Sequence, residues 1–198
     1  VYNTLIIAND ILDHQVEFLV DENSEMAFDK ISKANYPVFM QESPNILEDI
    51  ALRSPDVVIN DRLDTDLMYV EALKAKNIRV INFEDLGHGT ELADLVINAI
   101  YPKGKFKKNH YFGHKYFILR DEFVLASPGP IRRDVRKVLI TFGGVDPNNL
   151  TLKVLKSIHE FCRDGDIDIE VILGPGYGSP DSLDPFTNLE VRTDVGDM

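Results

Sequence analysis

The sequence predicts an α/β protein in which parallel sheets carry helices packed on their faces. Three observations lead there. Short apolar runs and helix-period runs take turns from the first residues onward, which is how parallel strands joined by helical crossovers read in sequence. The alternation stops at Ala126-Ser127-Pro128-Gly129-Pro130, which can neither continue a helix nor sit inside a sheet, and then resumes. Finally, an apolar strand at Val138-Leu139-Ile140-Thr141-Phe142 runs straight into Gly143-Gly144 and a helix start.

In chain order, the first alternation gives a helix over Val1 to Leu12, a strand over Val16 to Val20 and a helix over Glu25 to Asn35. A strand over Val38 to Met40, a helix over Ile46 to Arg53 and a strand over Asp56 to Asn60 come next. A helix over Asp66 to Lys76 and strands over Arg79 to Phe83 and Leu95 to Asn98 complete it, with right-handed crossovers as the default. The second alternation has a strand over Lys137 to Phe142, a helix over Asn149 to Cys162, a strand over Asp168 to Leu173 and a short strand over Leu189 to Arg192. The predicted domains are residues 1–130 and 131–198. No strand precedes the first helix, and the second alternation ends at Val195-Gly196-Asp197-Met198 with few elements, so the sequence reads as clipped at both ends.

With 198 residues, 44% hydrophobic and 27% charged, the chain has the composition of a soluble globular protein with room for one core and part of another. No apolar run approaches the roughly 20 residues that cross a bilayer. The single cysteine, Cys162, excludes an intrachain disulfide and a cysteine-based zinc cluster, fits a reducing cytoplasmic setting, and belongs on the inner face of its helix. A net charge of -12 argues against nucleic acid as a partner. The excess is confined to residues 1–100, with 19 acidic and 7 basic side chains, whereas residues 101–198 hold 14 of each. Lys103 to Lys137 is locally basic and reads as a solvated connecting segment, the competing reading being cations that face a phosphorylated ligand.

The Gly143-Gly144 junction suits phosphate, because glycines let backbone approach a ligand and the N terminus of the following helix, near Asn148, favours an anion. The competing reading is a plain strand-to-helix turn. Gly174-Pro175-Gly176-Tyr177-Gly178 reads as a turn before a surface loop, or alternatively as a ligand-side loop. In Glu84-Asp85, at a strand end, adjacent residues point to opposite faces, so one carboxylate at most enters a site, and Asp85 is the candidate. His88, in Gly87-His88-Gly89, follows the same strand, while His114 between Gly113 and Lys115 reads as structural. No zinc-ligand spacing or nucleophilic triad is present, and no metal or other cofactor is implied.

Five ordered blocks carry a resemblance. They are Asn60-Asp61-Arg62-Leu63-Asp64-Thr65, Val80-Ile81-Asn82-Phe83-Glu84-Asp85-Leu86-Gly87, Ala93-Asp94-Leu95-Val96-Ile97-Asn98-Ala99, the run from Tyr111 to Phe123, and Ile140 to Asn149. In this order they resemble the UDP-sugar hydrolase of pseudaminic acid biosynthesis and its relatives labelled spore coat polysaccharide biosynthesis protein G. The resemblance implies a GT-B-like fold related to the MurG-like glycosyltransferases: a Rossmann-like, parallel-sheet N-terminal domain on the sugar side, and the first part of a second, nucleotide-binding Rossmann-like domain. It also implies metal-independent cleavage of the anomeric bond of a UDP-sugar, with a histidine of a Gly-x-Gly-His loop as general base.

That histidine would stand immediately before Val1, so the catalytic group lies outside this sequence and the chain alone is expected to be inactive. Asn3 takes the place of an arginine found in many relatives. Asn60-Asp61-Arg62 stands where the hydrolase has an Asp-x-Tyr pattern. Arg62 is suited to an acidic or phosphorylated sugar, or alternatively to a surface pair with Asp64 or Asp66. The expected sugar-side residues are therefore Asn3, Arg62, Asp85 and His88, and the expected nucleotide-side residues are Gly143, Gly144 and Asn148. The reading is an enzyme, hydrolase or glycosyltransferase-like, acting on a nucleotide sugar in surface-polysaccharide assembly; the alternative is a non-catalytic sugar-nucleotide binding module. A flavodoxin-like regulator leaves the second alternation unexplained.

Overall fold

The computed structural model describes residues 2–101, 108–127 and 129–193. Val1, Pro128, the Lys103 end of the basic segment and the last residues of the chain lie outside that set, as do the sequence expectations that fall on them.

The chain divides into two compact units, Val1–Ser127 and Pro128–Met198. In the first, α1 (Tyr2–Asp10), β1 (Phe18–Val20), α2 (Glu25–Lys33), β2 (Val38–Met40), α3 (Ile46–Arg53), β3 (Val57–Asp61), α4 (Leu67–Ala75), β4 (Arg79–Phe83) and β5 (Leu95–Asn98) follow the predicted alternation closely. Two further elements fall inside the segment expected to be a connector: β6 (His110–Phe112) and α5 (Asp121–Leu125). β1 and β2 form one parallel ladder, and β3-β4-β5-β6 form another, also parallel throughout.

The local reasons are legible. Asn45 accepts from Leu47 N at 3.1 Å to start α3, and Asp66 accepts from Met68 N at 2.7 Å to start α4, so both helices begin on side-chain caps. Ser54 ends α3 in the left-handed region, φ 49°. The core lies between these helices and the strands: Ile50, Val70, Leu73, Ile78, Val80, Ala93 and Val96 are buried, with Leu19 and Val58 packed against them. Near-continuous apolar strands are what a parallel sheet covered by helices requires.

In the second unit, β7 (Lys137–Thr141), α6 (Leu150–Asp164), β8 (Asp168–Leu173) and β9 (Leu189–Thr193) build a three-stranded parallel sheet of order β7-β8-β9. Ile140, Ile169, Val171 and Leu173 pack with Leu155 and Cys162 of α6. Lys137, Glu170, Arg192 and Glu190 form an ion-pair ladder across the three strands, with Lys137–Glu170 at 3.1 Å and Arg192–Glu170 at 3.2 Å. Among the described residues, no helix is long and apolar enough to cross a membrane.

Leu73 is fully buried at the centre of the first core, whereas Leu125 is 81% exposed. Leu73→Ala is expected to cost about 2–5 kcal/mol of unfolding free energy through lost transfer and a residual cavity, and Leu125→Ala no more than about 0.5 kcal/mol. Urea denaturation of both variants checks this.

Candidate functional site

In an open parallel sheet the loops after the carboxyl ends of the strands are where ligands bind. Each unit has such an edge, and both hold residues expected from the sequence.

In the first unit, β3 and β4 are paired so that Asn60 and Asn82 lie side by side, and Asn60 Nδ2 donates to Asn82 Oδ1 at 2.9 Å. The Tyr69 hydroxyl donates to Asn60 Oδ1 at 2.8 Å. Burial pushes the Tyr69 phenol up to about 12, against the opposing effects of the Arg62 charge and the Asn60 hydrogen bond, so it stays a neutral donor. Above that ring, the Arg62 guanidinium carbon lies 5.9 Å from the centroid. Asp66, one of the expected surface partners of Arg62, instead caps α4.

Glu84 and Asp85 diverge, as their adjacency requires. Glu84 sits in the left-handed region, φ 52°, and its carboxylate accepts from Ala99 N at 2.8 Å and Ile100 N at 3.3 Å, closing the end of β5. Asp85 turns the other way and is 1% exposed. It accepts from Thr65 N at 3.0 Å, Gly87 N at 2.8 Å, Asn82 Nδ2 at 2.6 Å and the Thr65 hydroxyl. These donors fill the carboxylate, so Asp85 lies beneath the loops and not on their ligand-facing surface, a correction to its expected role as a substrate contact. His88 has a side chain that is 88% exposed, with Nδ1 3.5 Å from the Glu91 carboxylate. Asn3 stands half-buried in α1. The structure thus brings the Arg62 and His88 loops together, with Asp85 as the joint, and leaves Asn3 on a separate element.

In the second unit, Gly143 follows β7 with φ 75°, a conformation that favours glycine. A Cβ on Gly144 would meet no atom within 4 Å, so the fold itself does not require that position to be bare. The opposite holds at Gly174, where a Cβ would overlap the Gly143 carbonyl oxygen and Gly144 Cα. The loop after β8 therefore lies directly on the loop after β7, and Gly176 N donates to Gly144 O at 2.9 Å. Together they border an open concavity of about 220 Å³ lined by Val145, Asp146, Pro147, Asn149, Gly176, Tyr177, Gly178 and Ser179.

The start of α6 differs from expectation. Its first amides are already satisfied: Leu150 N and Thr151 N donate to the Asp146 carboxylate at 2.8 and 2.9 Å, and Leu152 N donates to Asn149 Oδ1 at 3.3 Å. Tyr177 donates its hydroxyl to the same Asn149 oxygen at 2.7 Å. A carboxylate of the chain thus holds the place at the helix end that the sequence suggested for a bound anion. The exposed backbone runs through the glycine pair instead, with Asn148 exposed beside it. Sequence reasoning missed Asp146, Asn149, Thr65 and Asn82. The signal for the first two was present, since Asp and Asn just ahead of a helix are capping residues.

No protein-family model matches the chain. Its fold is that of the GT-B type, α/β with Rossmann-like parallel sheets: the crystal structure of MurG from Acinetobacter baumannii matches all of this chain and 63% of that one with a TM-score of 0.57 and 12% identity. In sequence, the chain is 31% identical over 211 residues to an uncharacterized protein, MJ1062, of Methanocaldococcus jannaschii, covering 98% of this chain. It is also 26% identical over 146 residues to the spore coat polysaccharide biosynthesis protein SpsG of Bacillus subtilis, covering 68% of this chain. The chain spans 43% and 42% of the lengths of these two relatives.

Burial alone would raise the Asp146 carboxyl, but the amides of Thr151 and Leu150, the Thr151 hydroxyl and the Lys153 charge hold it below its ordinary 3.8. A depressed native value means that the unfolded chain takes up protons first as pH falls, so the cap's contribution is complete above about pH 4 and is lost as pH drops through the native value. Asp146→Asn, which tolerates the local φ of 42°, should flatten the acid limb of the stability profile, as read by urea denaturation at a series of pH values between neutral and strongly acidic.

Proposed function

We propose that the protein is an enzyme of surface-polysaccharide or nonulosonic acid biosynthesis that acts on a UDP-sugar, as a hydrolase or a glycosyltransferase-like catalyst cleaving the anomeric bond without a metal. The observation that carries the proposal is the Gly143-Gly144 turn, whose second glycine faces open space although nothing in the fold demands a bare backbone there. The likeness to a polysaccharide biosynthesis protein over 68% of the chain supports the substrate class. In this reading the first domain, residues 1–130, meets the sugar through Arg62 and His88, and the second, residues 131–198, meets the diphosphate through backbone at Gly143 and Gly144, beside Asn148.

The chemistry asked of these residues is modest. Backbone amides and an arginine fork stabilise negative charge that grows on the leaving diphosphate or on an acidic sugar, while a general base activates the attacking water or hydroxyl. Metal-independent cleavage leaves charge neutralisation to such donors. Arg62 and the glycine turn are the residues assigned that task.

Two variants of the intact protein test the assignment. Gly144→Val is expected to melt close to wild type while turnover of the UDP-sugar collapses, because a branched side chain would occupy the space a ligand needs; Gly174→Ala, by contrast, should lose about 1–3 kcal/mol of stability from the backbone overlap. A folded Gly144→Val protein with wild-type turnover would overturn the nucleotide assignment.

Arg62→Lys should cost about 1–3 kcal/mol of transition-state binding, read from kcat/KM, since lysine cannot present a planar bidentate fork. Unchanged kinetics with an unchanged melting curve would remove Arg62 from the site.

A further inference from the structure

We infer that Asp85 is a positioning residue, its buried carboxylate tying the loop that carries Arg62 to the loop that carries His88 so that both side chains stand on one rigid block. The inference rests on the proposal that these strand ends meet the sugar. One carboxylate oxygen accepts from Thr65 N at 3.0 Å, on the first loop, and from Gly87 N at 2.8 Å, on the second. The other accepts from Asn82 Nδ2 at 2.6 Å and from the Thr65 hydroxyl.

The two loops also touch directly. Gly89 N donates to Thr65 O at 2.8 Å and Leu86 N to Leu63 O at 2.9 Å. A Cβ on Gly87 would overlap the Thr65 backbone, and one on Gly89 the Thr65 hydroxyl, so both glycines are needed for this approach. A second route reaches Arg62 from below. Asn82 receives the amide of Asn60, and Asn60 receives the hydroxyl of Tyr69, whose ring faces the Arg62 guanidinium.

A carboxylate is the group this joint needs. It has four neutral donors around it and no lysine or arginine pairs with it among the described residues, so its charge is balanced by hydrogen bonds alone. An amide of the same shape would turn one of its ends into a donor, facing either Thr65 N and Gly87 N or Asn82 and the Thr65 hydroxyl. Asp85→Asn therefore changes the joint without changing the packed volume, and it leaves at least one buried donor unpaired.

The test measures Asp85→Asn in the intact protein by amide hydrogen exchange, by UDP binding, and by turnover of UDP-N-acetylglucosamine as the probe sugar nucleotide. Exchange is expected to quicken about tenfold or more in residues 62–66 and 86–91 together, with the amides of β4 and α4 unchanged, as for a local opening. UDP affinity should stay at the wild-type value while kcat falls. Faster exchange across the whole first unit, in one loop only, or in neither overturns the inference, as does unchanged kcat with both loops loosened. If the wild-type protein neither binds UDP nor turns over the probe, the sugar-nucleotide proposal fails while the exchange measurement still decides the coupling. Should Asp85→Asn fail to fold, Thr65→Val removes the hydroxyl donor alone, and the same paired loosening of the two loops is required of it.

Discussion

Where parallel strands end, backbone N–H groups lose their ladder partners, and in this chain carboxylates take them over. Asp49 accepts from Glu42 N and Ser43 N beyond β2, Glu84 from Ala99 N and Ile100 N beyond β5, Asp85 from Thr65 N and Gly87 N beyond β3 and β4, and Asp146 from Leu150 N and Thr151 N beyond β7. A buried N–H without a partner costs a free energy comparable to a lost hydrogen bond, and an ionised acceptor makes a shorter and stronger bond than a carbonyl. Loops pinned in this way hold their shape without apolar cover. That is what lets polar and glycine-rich segments remain ordered on the edge where a ligand would bind.

The two edges use the device differently. In the first unit the carboxylate lies under the loops and leaves side chains exposed above it, Arg62 and His88 among them with Leu63 and Leu86 alongside, so recognition there falls to side chains. In the second unit Asp146 closes the helix end, and what stays open is backbone, because Gly174 lets the β8 loop press against the β7 turn while Gly144 faces outward. Exposed backbone next to a rigid partner loop suits a ligand group recognised by shape and by amides, and a side-chain platform suits a group recognised by its substituents.

Much of the fold was legible because each parallel strand between helices must be apolar on both faces, and runs such as Arg79–Phe83 and Asp168–Leu173 were found at their observed bounds. His110–Phe112 escaped because an edge strand of three half-exposed residues carries no apolar run. The site was less legible. Sequence placed Asp85 at the correct strand end but could not say that Thr65, twenty positions earlier, would fill its carboxylate. Nor could it show that Asp146 would occupy the helix end that Gly143-Gly144 had marked for an anion. Both depend on loop backbone directions, and the sequence signal for those, a capping aspartate and asparagine, fixes who bonds and not which space remains.

Net charge does not separate the two edges. Residues 1–127 carry 13 basic against 21 acidic side chains, a balance of -8, and residues 128–198 carry 8 against 12, a balance of -4. A nucleoside diphosphate approaching either unit would meet a net acidic chain, so its recognition falls to local donors such as the Arg62 guanidinium and the backbone of the glycine turn. On the proposed reading the diphosphate is met by backbone at the glycine turn and the sugar by the loops that carry Arg62 and His88. Neutral hydrogen bonding by hydroxyls suits a surface rich in carboxylate acceptors. Arg62, set over a tyrosine held neutral by burial, is then the natural place for an anionic substituent of the sugar.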